Sequence, residues 1–356
     1  MLYLIVNILL QYSLNKKVAQ NITLIAYAIL KAKSLFMRQI ALYLPTDGLK
    51  QSKVNRVWRF FHKLELSDLR CYKAFVNFIL QKVKTTHVII DFTSLNGYDV
   101  KIFFASFPFK GRSIPFYAKV LRQKDIDSMR YKSRNEFMFK CIEEILTILP
   151  FKPIIIADRE FGFNEFIKFL KTKKVGFIIR LKGDMGIRLT NGKEIKLGKL
   201  DKGKYSGYLR EELFIKVAVR ENKKGKLILA YDSEFISRTT LHIALSYIKR
   251  MQCEQYHREI KNRLNLLDLN AVYYKEQYEE ELIQRYLIVL MFSVILGLFL
   301  GKVFVERRKE YLKYIVSEEQ ELSYLGLAIF LLNSEEKFVP IVLECFKRSL
   351  ERGWAK

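Results

Sequence analysis

A chain of 356 residues that is 50% hydrophobic and 14% aromatic has the material for a large core, and it is not a disordered polymer. Its 62 Lys and Arg against 37 Asp and Glu leave a formal charge of +25, so a polyanionic partner is implied, either nucleic acid or an anionic membrane surface. Cys71, Cys141, Cys253 and Cys345 stand far apart, with no CxxC pair and no Cys/His cluster, which argues against both a zinc site and a disulfide framework and favours reduced thiols in a cytoplasmic protein.

The N-terminal stretch is apolar but carries Asn7, Gln11, Ser13 and Asn15. Without a basic start or a small-residue cleavage site it does not read as a signal peptide. Residues 1–84 read as helical, from the apolar spacing in LYLIVNILL and ITLIAYAILKAKSLFMRQIALYL. Thr46, Asp47 and Gly48 make a turn, and Ser67 and Asp68 open a further helix to about Lys84. Between them, QSKVNRVWRFFHKL sets Lys53, Arg56 and Arg59 on a short basic helix, candidates for DNA contact.

The texture changes at Thr86. HVIIDFTSLN, YDVKIFFASFPF and SIPFYAKVLRQ read as three successive strands, the first pair joined by an Asn96-Gly97 turn. A basic helix over about 125–148 follows and stops before Pro150 and Pro153. PIIIAD is a short buried strand, NEFIKFLKTK a helix and VGFIIRLK the next strand. Residues 183–236 break into short glycine-punctuated runs and form a β-rich insertion. Ser237, Arg238 and Thr239 then start a helix, and residues after 275 are again mostly helical. The run YLIVLMFSVILGLFLG, 286–301, is too short for the roughly 20 residues a bilayer needs and reads as a buried core helix. Strands followed by helices after a meander give an α/β class, a mixed sheet with helices on its faces.

Two carboxylates sit where burial is costly: Asp91 within the first strand and Asp158 at the end of IIIAD. Each could equally cap a loop or accept backbone amides. A third acid, Glu254, lies in YIKRMQCEQYHREIK, where Tyr247, Arg250, Glu254 and Lys261 have the spacing Y-x2-R-x3-E-x6-K. On one continuous helix these four fall within a stripe about 60° wide and about 21 Å long. Such a stripe offers one carboxylate for a metal, and two cations with a phenol for phosphates. Glu259 faces elsewhere, and His257 reads as a surface histidine. Three carboxylates with no Cys or His ligand select Mg²⁺ or Mn²⁺. Two such ions about 3.5–4 Å apart suit an in-line phosphoryl transfer.

This order of strands, acids and signature helix resembles a DDE transposase of the insertion-sequence-4 group. DFTSLN is similar to its first acid motif, FKGRSIPFYAK to the stretch between the second and third strands, ADREFGFNEF to the second acid motif, and GFIIRLKGD to the next strand. The resemblance covers about 86–300. It implies an RNase H-like catalytic core interrupted by a β-rich insertion, so that the chain divides into 1–84 (helical DNA-binding module), 85–182 (core, first part), 183–236 (insertion), 237–300 (core, second part) and 301–356 (helical C-terminal region). It implies Asp91, Asp158 and Glu254 as ligands of two Mg²⁺ or Mn²⁺ ions. Tyr247, Arg250 and Lys261 follow as contacts to phosphates of the cleaved end, with Arg159 beside the second acid as a further DNA contact. The partners implied are DNA, both element ends and target, and a second copy of the chain in a synaptic complex, with no membrane. Some members stack a flipped base on an aromatic; Trp58 and Trp354 lie outside the insertion, which leaves Tyr231 or Phe235. Alternatives of other classes are an RNase H-like nuclease without strand transfer, a non-catalytic DNA-binding remnant or repressor, and a membrane-surface protein.

Overall fold

The computed structural model describes residues 6, 7, 9, 14–63, 68–95, 100–222, 225–232, 239–269, 280–306 and 324–333. The Asn96-Gly97 turn, Ser67, Phe235, Ser237, Arg238, Cys345, Trp354, most of the stretch before Leu14 and most of 301–356 lie outside the described residues.

Helix α1 (Lys16–Ala32) starts where the Asn15 side chain accepts from the Val18 amide at 2.8 Å, and stops at Lys33 in the left-handed conformation. Its Ile22, Ile25, Ala26 and Ile29 are buried. After α2 (Met37–Leu42), helix α3 (Lys50–Lys63) carries the basic run and buries only Val57, Phe60 and Phe61. Helix α4 (Asp68–Leu80) turns Tyr72, Phe75 and Phe78 inward.

Strands β1 (His87–Ser94), β2 (Val100–Phe109) and β3 (Arg112–Arg122) form an antiparallel meander. Pro115 sits in β3, an edge strand, beside a register shift at Ala105/Ser106, where a missing amide does least harm. The chain enters helix at once after β3. A five-residue α5 (Gln123–Asp127) is held by the buried pair of Arg122 and Asp125, and α6 (Arg134–Ile148) begins only after the Ser133 cap. The single helix expected over 125–148 is therefore two, because Asp125 closes a cap with the last residue of β3.

Strand β4 (Ile154–Ala157), α7 (Asn164–Thr172) and β5 (Gly176–Arg180) complete a parallel trio with β1, with His87 opposite Ile154 and Ile154 opposite Gly176. Their continuous apolar runs fit strands covered on both faces. Strands β6 (Gly186–Leu189), β7 (Glu194–Lys196), β8 (Gly203–Leu209), β9 (Leu213–Asn222) and β10 (Gly225–Tyr231) come from the glycine-punctuated segment. They do not form a separate sheet. β10 pairs antiparallel with β5, and the order runs β3-β2-β1-β4-β5-β10-β9-β8-β6-β7. One mixed sheet flanked by helices results, as expected from the sequence.

Helices α8 (Thr240–Ile248) and α9 (Met251–Arg263) lie beside this sheet. Helix α10 (Glu280–Glu306) packs on β3, α1 and α11 (Tyr324–Asn333). The helix extends the apolar run 286–301 on both sides, and its 22-residue segment Glu281–Lys302, with a mean hydropathy of 2.1, is long and apolar enough to cross a membrane. It is a core helix nonetheless, because 94% of that segment's apolar window is inside the protein. Gly297 lets Leu325 and Leu30 close on it.

Candidate functional site

Asp91 lies mid-strand on β1, opposite Phe104 of β2. One carboxylate oxygen accepts from the Phe92 amide at 3.0 Å, and the other from the Cys253 thiol at 3.3 Å. Burial pushes its pKa up, against the opposing pull of Cys253 and Arg250. Asp158 follows β4 directly and caps the short turn Arg159–Phe161, taking the Arg159 amide at 2.6 Å. Asp158 thus caps a turn while Asp91 accepts an amide within its strand, and both also face a third element.

That element is the junction of α8 and α9. The four-residue stripe was expected on one unbroken helix; the structure interrupts it at Lys249 and Arg250. The Arg250 amide bonds to the Tyr247 carbonyl at 2.8 Å and the Cys253 amide to the Arg250 carbonyl at 2.9 Å. These are i to i−3 bonds, which wind three residues per turn and stack residue i+3 over residue i. Arg250 therefore comes beneath Tyr247 and is not offset from it around the helix. Its guanidinium is 6.0 Å from the Tyr247 ring centroid, and both side chains reach Asp158.

Arg250 is the centre of the site. Only 9% exposed, it places Nη2 at 2.6 Å from Glu254 Oε1 and Nη1 at 3.9 Å from both Asp91 Oδ2 and Asp158 Oδ2. Its Nε is buried and has no hydrogen-bond acceptor. The Tyr247 hydroxyl donates to Asp158 Oδ1 at 3.3 Å, and burial, ahead of the neighbouring charges, pushes that phenol up to about 12, so it stays a donor. Residues 91, 158 and 254 are brought together from β1, the end of β4 and α9. Lys261, two turns further on, stands near His257.

Two neighbours escaped the sequence reading. Cys253 looked like a scattered thiol; burial, then Asp91, raises its pKa, so it remains a thiol that donates to the carboxylate. His257 is not a surface residue: its side chain is only 12% exposed, with Nδ1 at 3.8 Å from Asp91 and Nε2 buried without a hydrogen-bond partner. Burial, then Lys261 and Arg250, lowers its pKa to about 4, so it is neutral at pH 7. The signal for both was present: 253 and 257 are spaced i and i+4, one helix face, just beside Glu254.

Arg159 is exposed beside Asp158 and lines a groove of about 490 Å³ with Arg180, Lys182 and Lys226. Lys53, Arg56 and Arg59 line another cleft of about 540 Å³ with Lys17 and Lys63, well separated in sequence from the acids. The first three of these cations also bond within the fold: Lys53 Nζ donates to the Leu44 carbonyl at 3.2 Å, Arg56 Nε to Asn21 at 3.1 Å and Arg59 Nε to the Asn55 carbonyl at 3.3 Å. Tyr231 is buried on β10 among Ile178, Ile243 and Tyr247, so it is not free to stack a base.

The donor set fits a hard divalent cation: three carboxylates, no thiolate and a neutral imidazole. Among the described residues no three His, Cys, Asp or Glu groups close into a metal-holding cluster as they stand. The guanidinium lies between the acids instead.

Residues 125–291 match the family model of the transposase DDE domain. The matched span includes Asp158, Tyr247, Arg250, Glu254 and Lys261 and begins after Asp91. The match supports a transposase function. No curated protein matches the chain.

Proposed function

We propose that the chain is a transposase that binds the ends of a mobile element, cuts them by metal-dependent phosphodiester hydrolysis and joins them to target DNA. The observation that carries this reading is the convergence of Asp91, Asp158 and Glu254, from three separate elements, on one guanidinium. The family match and the net charge of +25 support DNA as the substrate.

In this reading Asp91, Asp158 and Glu254 hold Mg²⁺ or Mn²⁺, which when bound supplies Lewis acidity to the phosphate and acidifies a water. The protein's own groups prepare those ligands. The Phe92 amide and Cys253 thiol fix Asp91, and the Arg159 amide and Tyr247 hydroxyl fix Asp158. Both aspartates are thereby oriented before any ion arrives, as a ligand set requires. Arg159, Arg180, Lys182 and Lys226 form a cationic groove that tracks a phosphate backbone away from the acids, and Lys261 holds the processed strand. Lys53, Arg56 and Arg59 in the N-terminal 1–84 module grip duplex outside the site. A synaptic dimer belongs to the same reading.

The test uses a supercoiled plasmid carrying the coding region with its flanking DNA. Purified protein in Mg²⁺ or Mn²⁺ should cut it at fixed positions in the flanks. Asp91→Asn, Asp158→Asn and Glu254→Gln should each lower cutting at least about 10³-fold while circular dichroism and plasmid binding are retained. Cutting by Asp158→Asn at the wild-type rate, or undiminished cutting in excess chelator, overturns the assignment.

A further inference from the structure

We propose that Arg250 is the resident counter-ion of the three-acid cluster and competes with the divalent ion for it. The inference rests on the metal-site reading above and goes beyond it. Three features of the geometry carry it. The guanidinium contacts all three carboxylates, with the short contact to Glu254 and the two longer ones to Asp91 and Asp158. It is nine-tenths buried, so its charge is compensated by those acids and not by water. And the acids, held around a planar cation, do not close into a ligand cluster of their own among the described residues.

Physical necessity explains why a cation belongs there. Asp91, on β1, and Asp158, directly after the parallel strand β4, come to the same guanidinium nitrogen, 3.9 Å from each carboxylate. Like charges in a partly desolvated site repel strongly. An arginine at the tight turn between α8 and α9 relieves that repulsion when no metal is present. A divalent ion would have to take over the same oxygens, and the two cations cannot share them. The guanidinium must then leave the centre. The orphaned Nε shows that its present seat does not satisfy it fully, and the cationic groove of Arg159 and Arg180 marks the side on which a DNA phosphate would receive it. Arg250 is thus a positioning residue that couples metal entry to phosphate contact: phosphate binding draws the guanidinium out, and the acids are freed for the ion.

The experiment is calorimetric titration of the DNA-free protein with Mn²⁺, together with melting in chelator. Losing a charge-assisted competitor should tighten binding, so Arg250→Gln should bind Mn²⁺ on the order of ten- to a hundredfold more tightly than wild type. It should also melt at a lower temperature in chelator and recover that loss when Mn²⁺ is added. Arg250→Lys, which keeps the charge without the fork and guards against a folding defect in the first variant, should fall between the two. Asp158→Asn and Glu254→Gln in the wild-type background report on the site itself. If Mn²⁺ binding is sensitive to both acids but Arg250→Gln and Arg250→Lys bind no more tightly than wild type, the competition is refuted and the metal site stands. If wild-type Mn²⁺ binding ignores both acids, the metal site and the competition fall together.

Discussion

His87 and Asp91 share β1, and burial works on them in opposite senses. Asp91 is raised, and His87 is lowered to about 4, by burial first and then by Lys249 and His242. The histidine has a consequence for stability. Unfolded, it takes a proton near pH 6.5; folded, it refuses one until about pH 4. The unfolded chain therefore binds more protons between those values. The favourable state of His87 is fully present above about pH 6.5 and is lost as pH falls towards 4. Because the ring is only partly buried, the loss is discounted to about 1–2 kcal/mol. His87→Gln should flatten the urea-unfolding free energy over that window by about this amount, although the lowered His62 and His257 keep part of the slope. An unchanged slope would mean that the ring is solvated. At this scale the sequence was legible where one residue type admits few uses: an aspartate closing an apolar strand had to find partners. It was not legible for His257 or Cys253, whose burial depends on how a helix from far later in the chain lies against β1.

The elements show what spacing alone could and could not convey. Strands β1 to β5 follow from apolar runs and turns, and their order follows from the meander and two crossovers. The break between α8 and α9 had no such signal. Tyr247 to Lys261 contains neither Gly nor Pro, and its period is compatible with one helix. The break is written in i to i−3 hydrogen bonds from the Arg250, Gln252 and Cys253 amides, and it is what stacks Arg250 under Tyr247. A second element-level constraint lies behind Asp158. The short turn it caps ends at Gly162, where a Cβ would stand 2.6 Å from the Arg180 carbonyl oxygen and 3.2 Å from Leu181. The turn can approach β5 only without a side chain. Gly162→Ala should push the Asp158 turn off the sheet, costing about 1–3 kcal/mol of stability and most of the cleavage rate. Gly186→Ala, with open space around it and an ordinary backbone, is the control and should leave both nearly unchanged. Equal effects from the two substitutions in denaturant and cleavage assays would contradict the close approach.

At the scale of the molecule, one continuous core runs from the N-terminal helices through the sheet to α10 and α11. The class, the mixed sheet and the buried apolar helix were readable because they follow from periodicity and hydropathy, which are local properties. The continuity of the glycine-punctuated segment with the main sheet was not, since it depends on β10 pairing with β5 across the whole length of that segment. Nor was the length of α10, because its polar first turn hid the start. What the whole fold does is bring three acids, distant in sequence, to one cation, with a cationic groove leading away and a second cationic cleft on α3. The proposed function requires those acids both to cut and to join DNA. The direct measurement is sequencing of new junctions in cells that carry the coding region with its flanks on a plasmid. Wild type should yield junctions between the segment's ends and unrelated DNA, and Asp91→Asn, Asp158→Asn and Glu254→Gln should yield none at equal protein levels. Junctions that persist with Asp158→Asn and Glu254→Gln, or wild-type cutting that leaves broken ends and never a junction, would contradict it.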